Sequence, residues 1–288
     1  MLWNKGRRSD NVEDAGQGGG GPSFGGRGLG IGGIVILAIL GLVFFKDPTA
    51  LLGQGDPGAA SPTQSQQAPR QAASDDPQVD FVRAILGETE DTWGEIFAAN
   101  GQTYERPKLV LFRDGVRTAC GSASSAVGPF YCPGDHRVYL DLGFFQTMQD
   151  RFHETGDFAR AYVIAHEVGH HVQNLVGVFD KVDDARRRGA TLEGASGLSV
   201  RQELQADCFA GVWANRSQQR QQWLQAGDIE SALKAATAIG DDTLQEQSQG
   251  RVVPDSFTHG TSAQRVHWFR TGFDSGDIGK CNTFTGSI

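Results

Sequence analysis

The sequence IAHEVGHHV, residues 164–172, carries the pattern H-E-x-x-H within an apolar run. Apolar residues recur at helical spacing through and before this stretch, so it is predicted to lie on an amphipathic helix. Residues four positions apart share one helix face, and the imidazoles of His166 and His170 can therefore reach the same metal ion. Glu167 lies beside them, where its carboxylate can act as a general base toward a water activated by the metal. The motif predicts a Zn²⁺ site with the chemistry of peptide-bond hydrolysis.

A third ligand has to come from elsewhere in the chain. The metzincin pattern H-E-x-x-H-x-x-G-x-x-H is excluded, because Gln173 and Val176 occupy its glycine and final histidine positions. The alternative is a glutamate on a later helix, and Glu203 in the segment VRQELQADC offers one. Asp207 lies four residues further on the same helix face, where its carboxylate can accept the second ring N–H of a ligand histidine. We therefore predict His166, His170 and Glu203 as metal ligands and Asp207 as the group that orients a ligand.

The start of the second helix is predicted from its own sequence pattern. Ser199 and Gln202 fit a capping box, which puts Glu203 in the first turns of this helix. Solvated carboxylates on an exposed helix face are the alternative interpretation of Glu203 and Asp207. The upstream H-E-x-x-H pattern favours the metal site over that alternative.

Taken together, the motifs resemble those of a known family. H-E-x-x-H followed by E-x-x-x-D resembles the gluzincin arrangement of thermolysin-like peptidases, and the whole chain resembles the bacterial membrane-anchored neutral zinc metallopeptidases. The resemblance implies an α+β zincin-like domain, mostly helical with a small sheet, Zn²⁺ as cofactor and a peptide or protein as substrate. It rests on five segments: residues 7–14, 128–133, 164–172, 203–208 and 257–265.

The same resemblance suggests a further catalytic residue. Thermolysin-like enzymes use a donor from the C-terminal part of the chain to stabilise the oxyanion, and His259 in the segment THGT is our candidate, with Arg265 as a partner. A loop histidine without a catalytic role is an equally open interpretation. His171 is turned about 100° from His170 around the helix, so we expect it to pack or form hydrogen bonds rather than bind the metal.

An apolar, charge-free run at residues 29–45 predicts a single transmembrane helix. Basic residues are concentrated before the run and only Lys46 follows it closely, so the positive-inside rule makes residues 1–28 a cytoplasmic segment. This places the catalytic domain outside the cytoplasm of a bacterial cell, as a single-pass membrane protein. A cleaved signal peptide is the alternative, which the long polar region before the run disfavours.

The rest of the chain divides into a linker and a folded domain. Residues 46–76 are rich in Pro, Gly, Ser and Gln and predict a disordered linker, and residues 77–288 form the metallopeptidase domain. This domain opens with a helix that starts near Asp76-Pro77, and strand-like runs follow at residues 108–112 and 137–142.

Four cysteines fall in the domain that is predicted to be extracytoplasmic, where disulfides persist. Pairing Cys120 with Cys132 would close a hairpin, and pairing Cys208 with Cys281 would tie the Glu203 helix to the C-terminal segment. Two other pairings remain open. Cysteine as a zinc ligand is disfavoured, because no C-x-x-C spacing occurs.

Two functions from different classes follow from these patterns. The first is a membrane-anchored zinc-dependent endopeptidase. The second is a non-catalytic extracytoplasmic binding or scaffold protein that keeps a structural zinc. Glu167 favours the first, because a structural site gives it no role.

A net charge of −8 and the lack of a basic stripe with aromatic residues argue against nucleic acid as a partner.

Overall fold

The structure of the protein, a computed structural model, describes residues 1–17, 70–72, 75–152 and 156–288. Within these residues, eight α-helices and two small sheets surround an apolar core, so the fold is mixed α+β as predicted. The helices are α1 Pro77–Ala99, α2 Phe144–Phe152, α3 Asp157–Leu175, α4 Val178–Arg187, α5 Leu198–Gln221, α6 Asp228–Ala238, α7 Asp241–Gln249 and α8 Ser262–Ser275.

The strands are β1 Val12–Gln17, β2 Arg70–Gln71, β3 Lys108–Arg113, β4 Gly115–Thr118, β5 Gly121–Ser124, β6 Phe130–Cys132 and β7 Arg137–Asp141. The larger sheet has five strands in the order β2-β1-β3-β7-β6, and β4 and β5 form a separate hairpin. Strands β1, β3 and β7 run parallel to one another, whereas β2 and β6 pair antiparallel with their neighbours.

Helix α1 begins where its sequence predicts. The Asp76 carboxylate accepts the backbone N–H of Gln78 at 2.8 Å and so caps the helix, and Pro77 occupies the first turn, where no N–H is needed. The helix buries large apolar side chains, including Ile85 and Trp93, against the core. Helix α1 thus forms one wall of the domain.

Small residues let the site-bearing helices approach closely. A Cβ at Gly169 of α3 would lie 3.0 Å from the carbonyl oxygen of Ala206 on α5. A Cβ at Gly272 of α8 would lie 1.9 Å from the carbonyl oxygen of Cys208, and one at Gly211 would clash with α8 in the same way. These crossings hold α3, α5 and α8 together at one place.

The start of α5 differs from the predicted capping box. Gly197 is the N-cap and no side chain caps this helix, so Ser199 already lies within the first turn. The reason is a tight turn before the helix, in which a Cβ at Gly197 would lie only 2.2 Å from the Leu192 carbonyl oxygen. Glu203 still lies in the early turns of α5, as predicted.

Both predicted disulfides are present. Cys120 pairs with Cys132 and ties the β4–β5 turn to β6, and Cys208 pairs with Cys281 and ties α5 to the C-terminal segment. The described residues contain no free cysteine.

The predicted boundaries of the folded domain need correction. The sequence predicts residues 1–28 as a segment separate from the domain, but residues 1–17 pack on the domain and supply β1 between β2 and β3. The end of the predicted linker, residues 46–76, contributes β2 to the same sheet. Backbone pairing of β1 with β3, and of β2 with β1, recruits these residues into the fold.

The predicted transmembrane run at residues 29–45 lies outside the described residues, as does most of the linker. In the part of the chain that the structure describes, no helix is both long enough and apolar enough to cross a bilayer.

Candidate metal centre

Helix α3 presents two imidazoles toward one point. His166 and His170 lie one turn apart, and their Nε2 atoms are 3.2 Å from each other. Both side chains are buried, at the crossing of α3 with α5. The helical spacing read from the sequence therefore produces the expected convergence.

Glu203 of α5 completes a group of three donor atoms. Its carboxylate oxygens lie 3.2 Å from Nε2 of His166 and 3.5 Å from Nε2 of His170. Ligands held at 2.0–2.1 Å around a tetrahedral zinc are separated by about 3.4 Å, so the spacing fits Zn²⁺. The Glu203 side chain is 21% exposed, which leaves the group open to solvent on one side. Two imidazole nitrogens, one carboxylate and an open side match the donor set of catalytic zinc sites.

The second ring nitrogen of each histidine is held by a buried acceptor. Nδ1 of His166 donates to the Asp207 carboxylate at 2.9 Å, and Nδ1 of His170 donates to Oε1 of Gln173 at 2.9 Å. These hydrogen bonds fix the tautomer that leaves each Nε2 lone pair free for a metal. The predicted role of Asp207 is consistent with this geometry, whereas the role of Gln173 was missed.

Asp207 is the centre of a buried polar network. Arg265 of α8 donates to it through Nε at 2.9 Å and Nη2 at 3.0 Å, and the Tyr162 hydroxyl donates to the same carboxylate. Burial alone would favour the neutral acid, but Arg265 and His166 outweigh it and lower the pKa of Asp207 to about 2. Arg265 was predicted as a partner of His259; the structure pairs it with Asp207 instead.

Glu167 is buried beside the three donor atoms. Its side chain shows no hydrogen bond to another described residue, so its carboxylate is not committed elsewhere in the described part of the chain. Burial raises the pKa of Glu167, and the charges of His166 and His170 partly offset that rise. A carboxylate with a raised pKa next to a metal is suited to accept a proton from water and to release it again.

His259 lies on the loop before α8, close enough to Glu203 for the charge of that carboxylate to act on it. Its Nδ1 is 3.1 Å from Oδ1 of Asp241, the first residue of α7. The other Asp241 oxygen accepts the backbone N–H groups of Thr258, His259 and Gly260, at 2.6, 2.6 and 3.1 Å. Burial would lower the pKa of His259, but the hydrogen bond with Asp241 and the charge of Glu203 raise it. The pairing favours a protonated imidazole.

His171 faces away from the metal group. Its Nε2 donates to the carbonyl oxygen of Glu105 at 2.7 Å, and its Nδ1 lies 3.2 Å from the Tyr131 hydroxyl. The side chain is fully buried, which agrees with the predicted packing and hydrogen-bonding role.

Tyr162, Gln173 and Asp241 were not predicted as site residues from the sequence. Gln173 lies three residues after His170 on α3, so its helical spacing could have identified it as a partner. Asp241 lies 18 residues before His259, and only the tertiary packing of α7 against the loop brings the two together.

Comparison with known proteins agrees with the site. The family model described as "Putative neutral zinc metallopeptidase" matches residues 1–284. The protein YpfJ of Escherichia coli K12, described as uncharacterized, is 52% identical over 295 aligned positions, covering 100% of both chains. The uncharacterized protein Rv2575 of Mycobacterium tuberculosis H37Rv is 48% identical over 192 positions, covering 63% of this chain and 64% of that protein. No solved structure gives a significant match. This chain therefore belongs to the family described as "Putative neutral zinc metallopeptidase".

Proposed function

We propose that this protein is a zinc-dependent endopeptidase with a zincin-like catalytic domain. The observation that carries the proposal is the convergence of His166, His170 and Glu203 at zinc-ligand spacing, with the uncommitted Glu167 carboxylate beside them. Three ligands and an open side are typical of catalytic zinc sites, and a buried carboxylate next to them supplies the base.

Each residue has a defined task in peptide hydrolysis. Bound Zn²⁺ would polarise the scissile carbonyl and lower the pKa of a water molecule. Glu167 takes a proton from that water as its oxygen attacks the carbonyl carbon, and it passes the proton to the nitrogen of the leaving amine as the C–N bond breaks. His259, held protonated by Asp241, donates to the oxygen that gains negative charge.

Asp207 and Gln173 serve the same reaction indirectly. By accepting the Nδ1–H groups of the two ligand histidines, they hold both rings in position before a metal arrives. Arg265 neutralises the buried charge of Asp207, so that carboxylate can stay ionised at 0% exposure.

The proposal includes attachment to the bacterial cell membrane through the apolar run at residues 29–45 and an extracytoplasmic catalytic domain. Two disulfides in the domain support an oxidising compartment. The substrate class is a peptide or protein.

The alternative, a scaffold with a structural zinc, expects a closed set of four ligands. The group found within the described residues has three His, Cys, Asp or Glu ligands. The open side and Glu167 therefore favour catalysis.

The deciding experiment measures the zinc content and casein cleavage of the full-length protein, of Glu167→Gln and of Glu230→Gln. We expect stoichiometric zinc in all three and a loss of about 10²–10⁴-fold in cleavage rate for Glu167→Gln alone, the range typical of general-base removal. Glu230 is exposed on α6 and serves as the matched control. Stoichiometric zinc without cleavage by any form would favour the scaffold, and a protein without zinc would refute both functions.

A further inference from the structure

Residues 1–17, which we call the N-terminal clamp, are an integral part of the catalytic domain. Strand β1 of the clamp lies inside the sheet, between β2 and β3, and pairs in parallel with β3 from Val12 opposite Leu109 onward. Val12 is 1% exposed and belongs to the main apolar core. Removing the clamp would expose this core and the backbone groups of β3.

A buried carboxylate on α1 depends on the clamp. Glu90 is 1% exposed, and it accepts hydrogen bonds from Ser9 Oγ at 2.6 Å, Asn11 Nδ2 at 2.7 Å and Arg7 Nη2 at 2.7 Å. All three donors belong to the clamp, and Ser9 is itself fully buried. A buried carboxylate that loses such partners is strongly destabilising, so the domain requires the clamp in place.

The sequence of α1 is adapted to this contact. A Cβ at Gly87 would lie 2.4 Å from the Arg7 carbonyl oxygen, so only glycine allows the clamp to cross the helix there. Arg8 forms two hydrogen bonds of 2.7 Å with the two oxygens of Asp80. These contacts are specific and extend along α1.

The chain also leaves and re-enters the domain at neighbouring strands. Strands β1 and β2 pair antiparallel, with Glu13 opposite Gln71 and Asp14 opposite Arg70. The two ends of the segment between Gln17 and Arg70 therefore lie at the same edge region of one sheet.

We propose that the N-terminal clamp and residues 75–288 occupy the same side of the membrane. Strands of one sheet cannot form hydrogen bonds with each other across a bilayer, so this placement conflicts with the predicted single crossing at residues 29–45. If two copies of the chain exchanged their clamps, each clamp would still have to lie on the same side of the membrane as the sheet that it joins. The inference contradicts the predicted arrangement in which residues 1–28 and the catalytic domain lie on opposite sides of the membrane, and it does not depend on peptidase activity.

Site-directed labelling in cells tests this topology directly. Lys5→Cys in the clamp and Glu230→Cys on α6 each add one thiol at an exposed position, and the four native cysteines are paired. Spheroplasts that express either full-length variant are treated with a membrane-impermeant maleimide before or after lysis. We expect the two positions to behave alike, both labelled in intact spheroplasts or both protected until lysis. Labelling of one position only in intact spheroplasts would overturn the proposal.

A charge exchange in the purified full-length protein tests whether the clamp is docked. Arg8→Asp and Asp80→Arg should each lower the melting temperature by roughly 2–4 °C, and the combined exchange should recover part of the loss, since Arg8 also donates to the Asn4 and Gly6 carbonyls. Lys5→Asp, which alters an exposed clamp residue, is the matched control and should leave the melting temperature unchanged. Losses that simply add in the double variant would show that the clamp does not contact α1 and would refute the proposal.

Discussion

Gln173 is the residue whose role can be isolated most cleanly. Its Oε1 accepts the Nδ1–H of His170, and its Nε2 donates to the Gln202 carbonyl at 2.7 Å and to Oε1 of Gln205 at 3.1 Å. Gln173→Leu removes the acceptor and frees the His170 ring to rotate. We expect zinc affinity to fall about 10–100-fold, the range typical for loss of a group that orients a metal ligand. Competition with a chromophoric chelator measures this affinity.

Two further variants sharpen the measurement. Gln173→Glu keeps an acceptor oxygen for His170 and should retain more zinc affinity than Gln173→Leu. Gln219→Leu changes an exposed glutamine on α5 and should leave the affinity unchanged. An affinity for Gln173→Leu within twofold of the unmodified protein would contradict the positioning role.

Asp241 sets the protonation of His259. The hydrogen bond with Asp241 raises the pKa of His259, so the imidazole stays charged to a higher pH than an ordinary histidine. The charged form is the oxyanion donor, so activity should fall as pH rises through this pKa. In Asp241→Asn the pKa of His259 drops, and the alkaline limb of the profile of kcat/KM against pH should move to lower pH.

The neighbouring Asp242 provides the control for that profile. Its Oδ1 accepts the backbone N–H of Ser262 at 2.8 Å, and it has no hydrogen bond to His259 among the described contacts. Asp242→Asn should therefore leave the alkaline limb where it is. An unchanged limb in Asp241→Asn would show that His259 does not act as the charged donor.

The metal ligands could be predicted from the sequence because their geometry is local. Helical spacing alone places His166 and His170 on one face of α3, and Glu203 and Asp207 on one face of α5. The contact of Asp241 with His259 has no such periodicity, since it depends on how α7 packs against a loop. The predicted partner of Arg265 was wrong for the same reason. The crossing of α8 with α5 determines which buried carboxylate Arg265 meets, and that carboxylate is Asp207.

At the scale of elements, glycine decides how closely helices pack. A Cβ at Gly211 of α5 would lie 2.1 Å from the Phe269 carbonyl oxygen on α8, whereas a Cβ at Gly94 of α1 would meet no atom within 4 Å. Gly211→Ala should lower the free energy of unfolding by about 1–3 kcal/mol, because backbone must shift. Gly94→Ala should raise it by up to about 1 kcal/mol through helix propensity.

Urea unfolding measures whether the free energy of unfolding falls in Gly211→Ala and rises in Gly94→Ala. Because α8 carries Arg265, separation of α8 from α5 in Gly211→Ala should also weaken the contact with Asp207 and lower zinc affinity. Gly94→Ala should leave zinc affinity unchanged. Equal effects of the two substitutions on stability would mean that the α5–α8 crossing is not tight.

Helix α1 and the central strands β3 and β7 were predicted well, and the N-terminal strand was not. Helix α1 carries a capping aspartate, a proline at its start and a regular apolar face, so its bounds follow from local chemistry. Strand β1 reads VEDAGQ, which lacks the β-branched and aromatic alternation of a typical strand. Its extended form comes from pairing with β3 and from the contacts of residues 7–11 with α1, which are distant in sequence.

Across the whole molecule, a chain of hydrogen bonds links the C-terminal disulfide to the metal site. Nε2 of Gln205 donates to the Cys281 carbonyl at 2.9 Å, and Oε1 of Gln205 accepts from Gln173, which in turn holds His170. Cys208, the partner of Cys281, directly follows Asp207 on α5. The disulfide therefore fixes the far end of a chain of contacts that orients a metal ligand.

Removal of this disulfide should affect both stability and metal binding. Cys208 and Cys281 are 73 residues apart, whereas Cys120 and Cys132 are 12 apart. Loop entropy predicts that the free energy of unfolding falls by about 4 kcal/mol when Cys208 and Cys281 are replaced by alanine. It predicts a loss of about 3 kcal/mol when Cys120 and Cys132 are replaced. Only the variant of the first pair should also bind zinc more weakly, because its Cys281 carbonyl is no longer held in place for Gln205.

Urea unfolding and chelator competition on the two double-alanine variants separate these effects. The second pair is the matched control, because it ties the β4–β5 turn to β6 and has no hydrogen-bond link to His170 among the described contacts. Equal zinc affinity in both variants would show that the disulfide stabilises the chain without positioning the metal ligand. A lower zinc affinity in the Cys208→Ala/Cys281→Ala variant alone would show that this disulfide helps to position the metal ligand. Reduction of the bond in the native protein would release the same constraint, so the oxidation state of the pair would then control zinc binding.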